Sequence, residues 1–237
     1  MKLITKRMMR GFRVLFLVML GVVLFYFSAL LIFRWVPIPT SAFIHHQNTL
    51  HETDPKVYSA AKFEWVDWEQ IPPALALAVI TAEDQRFPNH WGVDLIEIRN
   101  AISDMRDGKP MRGASTITQQ VAKNLFLWNG RSYVRKAAEF FISFSLELVW
   151  SKQRILEVYL NVAQFAPVTF GVKAASKVLY DKEPLQLTLE ECAMLAAVLP
   201  TPAKSNANEP SETLQKRHAW ILEHMEKLGG VNYLKKL

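Results

Sequence analysis

Two adjacent acids, Glu83 and Asp84, close an apolar run, ALALAVITAED, and are followed by Phe87, Pro88 and His90. Read as a helix, the run puts Ala76, Val79, Ile80 and Phe87 on the same side as Glu83. A carboxylate on an apolar helix face is desolvated, which disfavours its charged form and raises its pKa. Pro88 cannot continue the hydrogen-bond ladder, so Glu83 also stands near a helix end. A negative charge there opposes the macrodipole. An acid held at two such costs is a candidate for proton transfer. The competing reading is a pair of solvated charges on a fraying helix.

A second set of chemistry-bearing residues is cationic. Between Lys109 and Arg154 stand eight basic residues (Lys109, Arg112, Lys123, Arg131, Arg135, Lys136, Lys152 and Arg154) against two acids, Glu139 and Glu147. In GASTITQQVAKN, Thr116, Gln119, Gln120 and Lys123 share an arc of roughly 100° at 3.6 residues per turn. Ile117, Val121 and Leu125 fill the adjacent apolar arc. Hydroxyl, amides and ammonium on one stripe have the donors to line an anionic or sugar-bearing cleft, or form an ordinary solvated face. Arg131, Arg135 and Glu139 follow at i, i+4 and i+8, with Lys136 beside them. Arg135 and Glu139 fit an exposed ion pair worth about 0.3–0.5 kcal/mol. They equally fit a diphosphate site with Lys123, in which Glu139 orients the cations or helps bind a divalent ion. Arginine suits phosphate oxygens because its planar fork donates two parallel hydrogen bonds.

Helices must carry these residues. The signals place them at 74–87, 94–106, 115–127, 132–150, 152–165, 171–180, 188–199 and 211–228. Ser115 and Ser151 read as N-caps, Thr188 with Glu191 as a capping box, and Gly229-Gly230 as the stop of the last long helix. Alternating β patterns are scarce, and the sequence has no internal repeat or low-complexity segment. The fold class is mostly α.

The flanking chain sets the location. Val14 to Phe33 is an uncharged run, VLFLVMLGVVLFYFSALLIF. About 20 apolar residues span the bilayer's hydrocarbon as a helix. Lys2, Lys6, Arg7, Arg10 and Arg13 precede it with no acid, which orients the N-terminus to the cytoplasm. The run is longer than a cleaved signal core and leads into FRWVPIP, so a signal-anchor is expected over 14–35, after a basic tail over 1–13. The formal charge of +6 is mostly that tail, so the pI of about 9.4 is no sign of nucleic-acid binding. Residues 36–73 are punctuated by Pro37, Pro39, Pro55, Pro72 and Pro73 and read as a connecting region. Phe63, Trp65 and Trp68 within it fit either the membrane interface or packing onto the domain. Ser59-Ala-Ala-Lys62 matches the S-x-x-K of penicillin-binding transpeptidases, but without S-x-N or K-T-G it is a chance match. A domain over 74–237 remains. Hydrophobic content of 50% supports a packed core, and Cys192 as the sole cysteine excludes an internal disulfide.

Four segments in order, AEDQRFPNHWGVD (82–94), GASTITQQVAKNLF (113–126), RSYVRKAAE (131–139) and SKQRILEVYLN (151–161), resemble the peptidoglycan glycosyltransferases, glycosyltransferase family 51. LTLEECAMLAAVLPTPAKSNANEP (187–210) is a weaker fifth. With one anchor and no transpeptidase motif, the resemblance is to the family's monofunctional members. It implies a lysozyme-like helical lobe with a smaller jaw lobe that touches the membrane. It also implies polymerisation of lipid II into β-1,4-linked glycan, with release of undecaprenyl diphosphate and inversion at the anomeric carbon. Glu83, in E-D-x-x-F, would be the general base. Glu139 would attend the leaving diphosphate or its metal, so a divalent cation (Mg or Mn) is admitted with Glu139 as its ligand. Substrate contacts would fall on Asp84, Phe87, His90, Ser115, Thr116, Gln119, Gln120, Lys123, Asn124, Arg131, Arg135 and Lys136. Partners would be lipid II, the growing lipid-linked strand, the membrane and proteins of division or elongation machinery. The location would be the bacterial inner membrane, single-pass, with the catalytic domain periplasmic.

Two departures stand out. Gly113-Ala114 replaces the family's Gly-Gly, a mild change if position 114 needs no positive φ. Gln164-Phe165-Ala166 stands where monofunctional relatives carry an acid followed by Trp-Gly, which weakens any role for the loop 162–170. The main alternative is a membrane-bound, lysozyme-like glycan-cleaving enzyme, which also relies on an acid. Such an enzyme meets no diphosphate, so the basic cluster speaks against it. A non-catalytic assembly factor would not need Glu83 at an unfavourable site.

Overall fold

The computed structural model describes residues 2–108, 113–130 and 132–237; Lys109, Arg112 and Arg131 lie outside the described residues. The chain divides into two units, Met1–Val36 and Pro37–Leu237. The first is a single helix, α1 (Lys2–Ile32). Its stretch Gly11–Ile32 has a mean hydropathy of 2.8, long and apolar enough to cross a membrane. Just past it, the Arg34 guanidinium lies 5.2 Å from the Trp35 ring centroid.

The second unit is mostly α, as expected, and built around α3 (Pro73–Glu83). Every residue from Leu75 to Thr81 is buried, so α3 is apolar all round rather than amphipathic. It packs against α9 (Leu189–Val198), α10 (Glu212–Lys227) and a C-terminal 3-10 turn over Gly230–Lys236. A second group forms around α5 (Ile117–Phe126), which packs on α2 (Ala42–Thr53), α6 (Tyr133–Val149) and α7 (Lys152–Val162). The helix α4 (Leu95–Arg106) starts at Asp94, whose carboxylate accepts from the amides of Ile96 and Glu97. Ser132, Ser151 and Ser211 cap α6, α7 and α10, and Thr188 with Glu191 forms the expected capping box.

Several boundaries differ from those expected. The first long helix ends at Glu83, not 87, because Asp84 turns extended (φ −162°, ψ 75°) and gives its carboxylate to the start of α5. Phe87 therefore lies in a separate 3-10 turn, Phe87–Asn89, and not on the Glu83 face of α3. The N-cap of α5 is Thr116 rather than Ser115, with Gln119 completing a capping box. Residues 36–73, read as a connecting region, carry α2 and the strand β1 (Lys62–Phe63). Arg154 sits 5.0 Å from the centroid of Trp65, and Phe63, Trp65 and Trp68 are half-buried on this unit. The helix expected over 152–165 stops at Val162, since Gln164–Ala166 (β2) pairs antiparallel with Thr169–Phe170 (β3). The three short strands run in the order β1-β3-β2, with β1 parallel to β3, and β3 leads into α8 (Val172–Tyr180).

Asn161 ties this small sheet region to the helices. It is fully buried, accepts from the Val66 amide at 2.9 Å and donates to the carbonyls of Val66 and Glu157, both at 2.9 Å. The chain returns past it at Gly171, with φ +80°, where an added Cβ would lie 2.5 Å from the Asn161 carbonyl oxygen. Both the left-handed backbone and the backbone contact demand glycine. Gly171→Ala should lower stability by about 1–3 kcal/mol from strain alone. Thermal unfolding of the detergent-solubilised chain checks this; an unchanged midpoint would contradict the close approach.

Candidate active site

Glu83 is the last residue of α3, where the two helix groups meet. Its side chain is only 14% exposed. Oε2 accepts a hydrogen bond from Gln120 Nε2 of α5 at 2.8 Å, and Oε1 accepts from Arg217 of α10 at 3.1 Å. Gln120 is itself oriented: the hydroxyl of the buried Tyr159 donates to its Oε1 at 3.1 Å, which leaves the amide nitrogen facing Glu83. Arg217 also donates to the Ala82 carbonyl at 3.2 Å, fixing the guanidinium on both sides of one peptide. Burial pushes the pKa of Glu83 above the usual glutamate value, and the Gln120 hydrogen bond, Arg217 and Lys123 only partly offset it.

The carboxylate opens onto a cavity of about 680 Å³, which Asp84, Arg86, Ser115, Thr116, Gln120 and Arg217 help to line. On α5 and α6 lies the cationic group. Glu139 is buried and takes Arg135 at 3.0 Å on one oxygen and Lys136 on the other. Lys123 interacts electrostatically with both Glu83 and Glu139. Burial lowers the Lys123 pKa; the two glutamates work against that, while Arg135 and Lys136 add to it. Two of the three cations bond Glu139 directly and Lys123 feels it only through the field, which leaves a surplus of positive charge.

The expected polar stripe on α5 divides. Gln120 bonds Glu83 and Lys123 acts on it through the field, whereas the Thr116 and Gln119 side chains are buried and spent on the capping box, although Thr116 also borders the cavity. Thr116 also donates to the Gly92 carbonyl at 2.6 Å. Ser115 is exposed at the cavity and Asn124 is buried on α5. Phe87 is wholly buried, with Lys152 Nζ 4.5 Å from its ring centroid, so it supports the loop from beneath. His90 and Asp84 are buried together, His90 Nε2 donating to the Asp84 carboxylate at 2.9 Å while the Ile117 amide donates to it at 3.0 Å. Ala114 is not among the positive-φ residues, so the Gly-to-Ala departure carries no backbone strain.

Neither acidic grouping fits a divalent cation. Among the described residues, Asp84, His90 and Asp94 offer ligand atoms within 4.8 Å of one another. Asp84 is held by His90 and an amide, and Asp94 by two amides and by Arg86 at 2.9 Å. Both oxygens of Glu139 already bear protein cations, which repel a metal.

Arg217 and Tyr159 were not singled out by sequence reasoning. Arg217 lies 134 positions from Glu83, and nothing local marks it. Tyr159 falls within a quoted motif, but its direction depends on how α7 packs.

A buried carboxylate suited to take a proton, beside surplus positive charge suited to an anionic leaving group, defines a group-transfer site in a helical fold. A transglycosylase family model matches residues 46–226. A biosynthetic peptidoglycan transglycosylase of Mannheimia succiniciproducens is 49% identical over 206 residues, covering 87% of this chain and 84% of that protein. Proteins of the same name from Pectobacterium carotovorum and Yersinia pestis are 46% and 44% identical, covering 88% and 92% of this chain and 86% and 90% of their own lengths. The chain belongs to the transglycosylase family, whose domain is lysozyme-like and helical, and is a glycosyltransferase. The family match begins at His46, inside α2.

Arg217 favours the ionised form of Glu83, so its removal should push the carboxyl pKa further up. Carbon-13 carboxylate titration of Arg217→Gln should show Glu83 ionising at higher pH than in the unaltered chain. An unmoved midpoint would show that the guanidinium does not act on it.

Proposed function

We propose that this glycosyltransferase polymerises lipid II into β-1,4-linked peptidoglycan strands at the outer face of the bacterial inner membrane. The observation that carries the reading is the placement of Glu83: desolvated, held by Gln120 and Arg217, open to a cavity, and in electrostatic contact with Lys123, which also feels Arg135 and Lys136. Glu83 is the general base. It takes the proton from the 4-hydroxyl of the lipid II N-acetylglucosamine as that oxygen bonds to the anomeric carbon of the growing chain. The bond from that carbon to the diphosphate breaks, and undecaprenyl diphosphate leaves with the electron pair, inverting the centre. A base with a raised pKa stays closer to that of its target and assists the transfer more strongly.

Lys123, Arg135 and Lys136 receive the diphosphate, with Glu139 holding the last two in place. This role needs no metal ion on Glu139. The apolar span Gly11–Ile32 anchors the chain, its basic tail facing the cytoplasm and the catalytic unit the periplasm. Exposed apolar side chains on α4 (Leu95, Ile96, Met105) and α6 (Phe141, Phe144, Leu148) support contact of this unit with the lipid surface. A polyprenyl substrate requires that proximity. Cleavage of glycan, the alternative reaction, gives the cationic group no task.

Glu83→Gln should cut polymerisation of labelled lipid II by roughly 10²–10⁴-fold with the fold intact. The unaltered enzyme should gain activity as pH rises through a midpoint above 4.5, where Glu83 ionises. Near-normal turnover by the variant would remove Glu83 from the chemistry. Neutralising Lys123, Arg135 or Lys136 should raise the lipid-linked donor's Kd, read by direct donor titration. Unchanged donor affinity in all three would return them to the role of surface charges.

A further inference from the structure

The cavity before Glu83 is completed by one face of α10. Arg217, Trp220 and His224 stand at i, i+3 and i+7, and all three line it. Arg217 is committed to Glu83. Trp220 is a large aromatic left 40% exposed in a cavity wall, not sealed in the core. Its ring stacks on that of His224, with centroids 4.0 Å apart and planes at 23°. The imidazole is fixed as well: His224 Nδ1 donates to the Trp220 carbonyl oxygen at 2.8 Å, since a carbonyl only accepts. A flat ring has two faces. The pinned imidazole covers one of them, and the indole remains substantially open.

We infer that Trp220 is a stacking platform for a pyranose ring of the acceptor, an N-acetylated amino sugar, with His224 stiffening it from behind. This rests on the reading of Glu83 as the base. One side of a pyranose is a patch of C–H groups, apolar and weakly positive, which complements the negative face of an indole. Helical rise sets Trp220 about 4.5 Å and His224 about 10 Å beyond Arg217 along the axis. A ring stacked on Trp220 is therefore a neighbour of the carboxylate that Arg217 holds, within reach of a sugar hydroxyl. The cavity's size suits a disaccharide rather than a single small ion, being within the range of small-molecule sites. Lys123, Arg135, Lys136 and Glu139 do not line it, so its walls suit a sugar and not the diphosphate. Arg86 and Glu97 at the wall supply polar partners for hydroxyl and acetamido groups.

The test uses the full chain in detergent and the disaccharide of N-acetylglucosamine linked β-1,4 to N-acetylmuramic acid, titrated by calorimetry. Trp220→Ala should weaken disaccharide binding by about tenfold, and Trp220→Phe should recover part of it, because a smaller aromatic face remains. In turnover, Trp220→Ala should raise the KM for lipid II about as much, while kcat stays within about twofold. Should Trp220→Ala lose its helical circular dichroism, Trp220→Leu, apolar without a π face, replaces it with the same expectation. Equal affinity across these variants, or no binding of the disaccharide by the unaltered chain, would overturn the platform. The two readings fail separately. If Glu83→Gln stays active while Trp220→Ala loses the disaccharide, the base falls and the sugar site stands. If Glu83→Gln is dead and Trp220→Ala binds and turns over normally, only the platform falls.

Discussion

The structure turns on one desolvated carboxylate shared between three helices. Glu83 ends α3, but its two oxygens are claimed by Gln120 of α5 and Arg217 of α10. A buried carboxylate left without partners would be costly, and one fully neutralised by a tight pair would be a poor base. The arrangement lies between these limits. One neutral amide and one partly exposed guanidinium hold the group in place, and burial still keeps its proton affinity above the ordinary value. Those partners come from the two different helix groups, so the site exists only when both are packed.

Glu83 and Asp84 show how one peptide step separates two fates. Glu83 belongs to the C-terminal turn of α3, where the helix offers no free amide to an anion. Asp84 turns away, and its carboxylate meets the first amide of α5, where an anion is favoured. His90 completes that contact. Asp84 is thus a brace that joins the end of α3 to the start of α5, and it carries Glu83 with it. The C-terminal turn adds a second brace, since the Tyr233 hydroxyl donates to the Gln85 carbonyl at 2.7 Å. The loop after Glu83 is held at both ends.

What could be read from the sequence follows from which forces are local. Helix starts at Ser132, Ser151, Thr188 and Ser211 were within one residue of those expected, because a cap is a contact over three positions. Helix ends were less legible. Pro88 suggested a stop near 87, yet the stop at 83 comes from Asp84 reaching a backbone amide 33 positions away. The stretch 36–73 reads as a connecting region because its order is borrowed: Val66 pairs with Asn161, 95 positions on. In the site, type and spacing mark Glu83, Gln120, Lys123, Arg135, Lys136 and Glu139 only as candidates, and the family resemblance is what chooses between their open readings. Arg217 and Trp220 are not marked, since α10 carries them on a face that only packing turns toward Glu83.

Lys123 couples the two halves of the site. It feels Glu83 on one side and Glu139, Arg135 and Lys136 on the other, and its own burial weakens its hold on a proton. Its charge helps keep Glu83 ionised. On the proposed reading, a diphosphate seated among the cations offsets that charge, and the influence on Glu83 fades. The carboxylate then becomes more basic when the donor is in place, because the field that stabilised its ionised form has been spent on the phosphate oxygens. Gln120 keeps it from drifting as this happens, since Tyr159 fixes the amide from the core. On that reading the same lysine would serve both the leaving group and the base, tying proton removal to the presence of a donor.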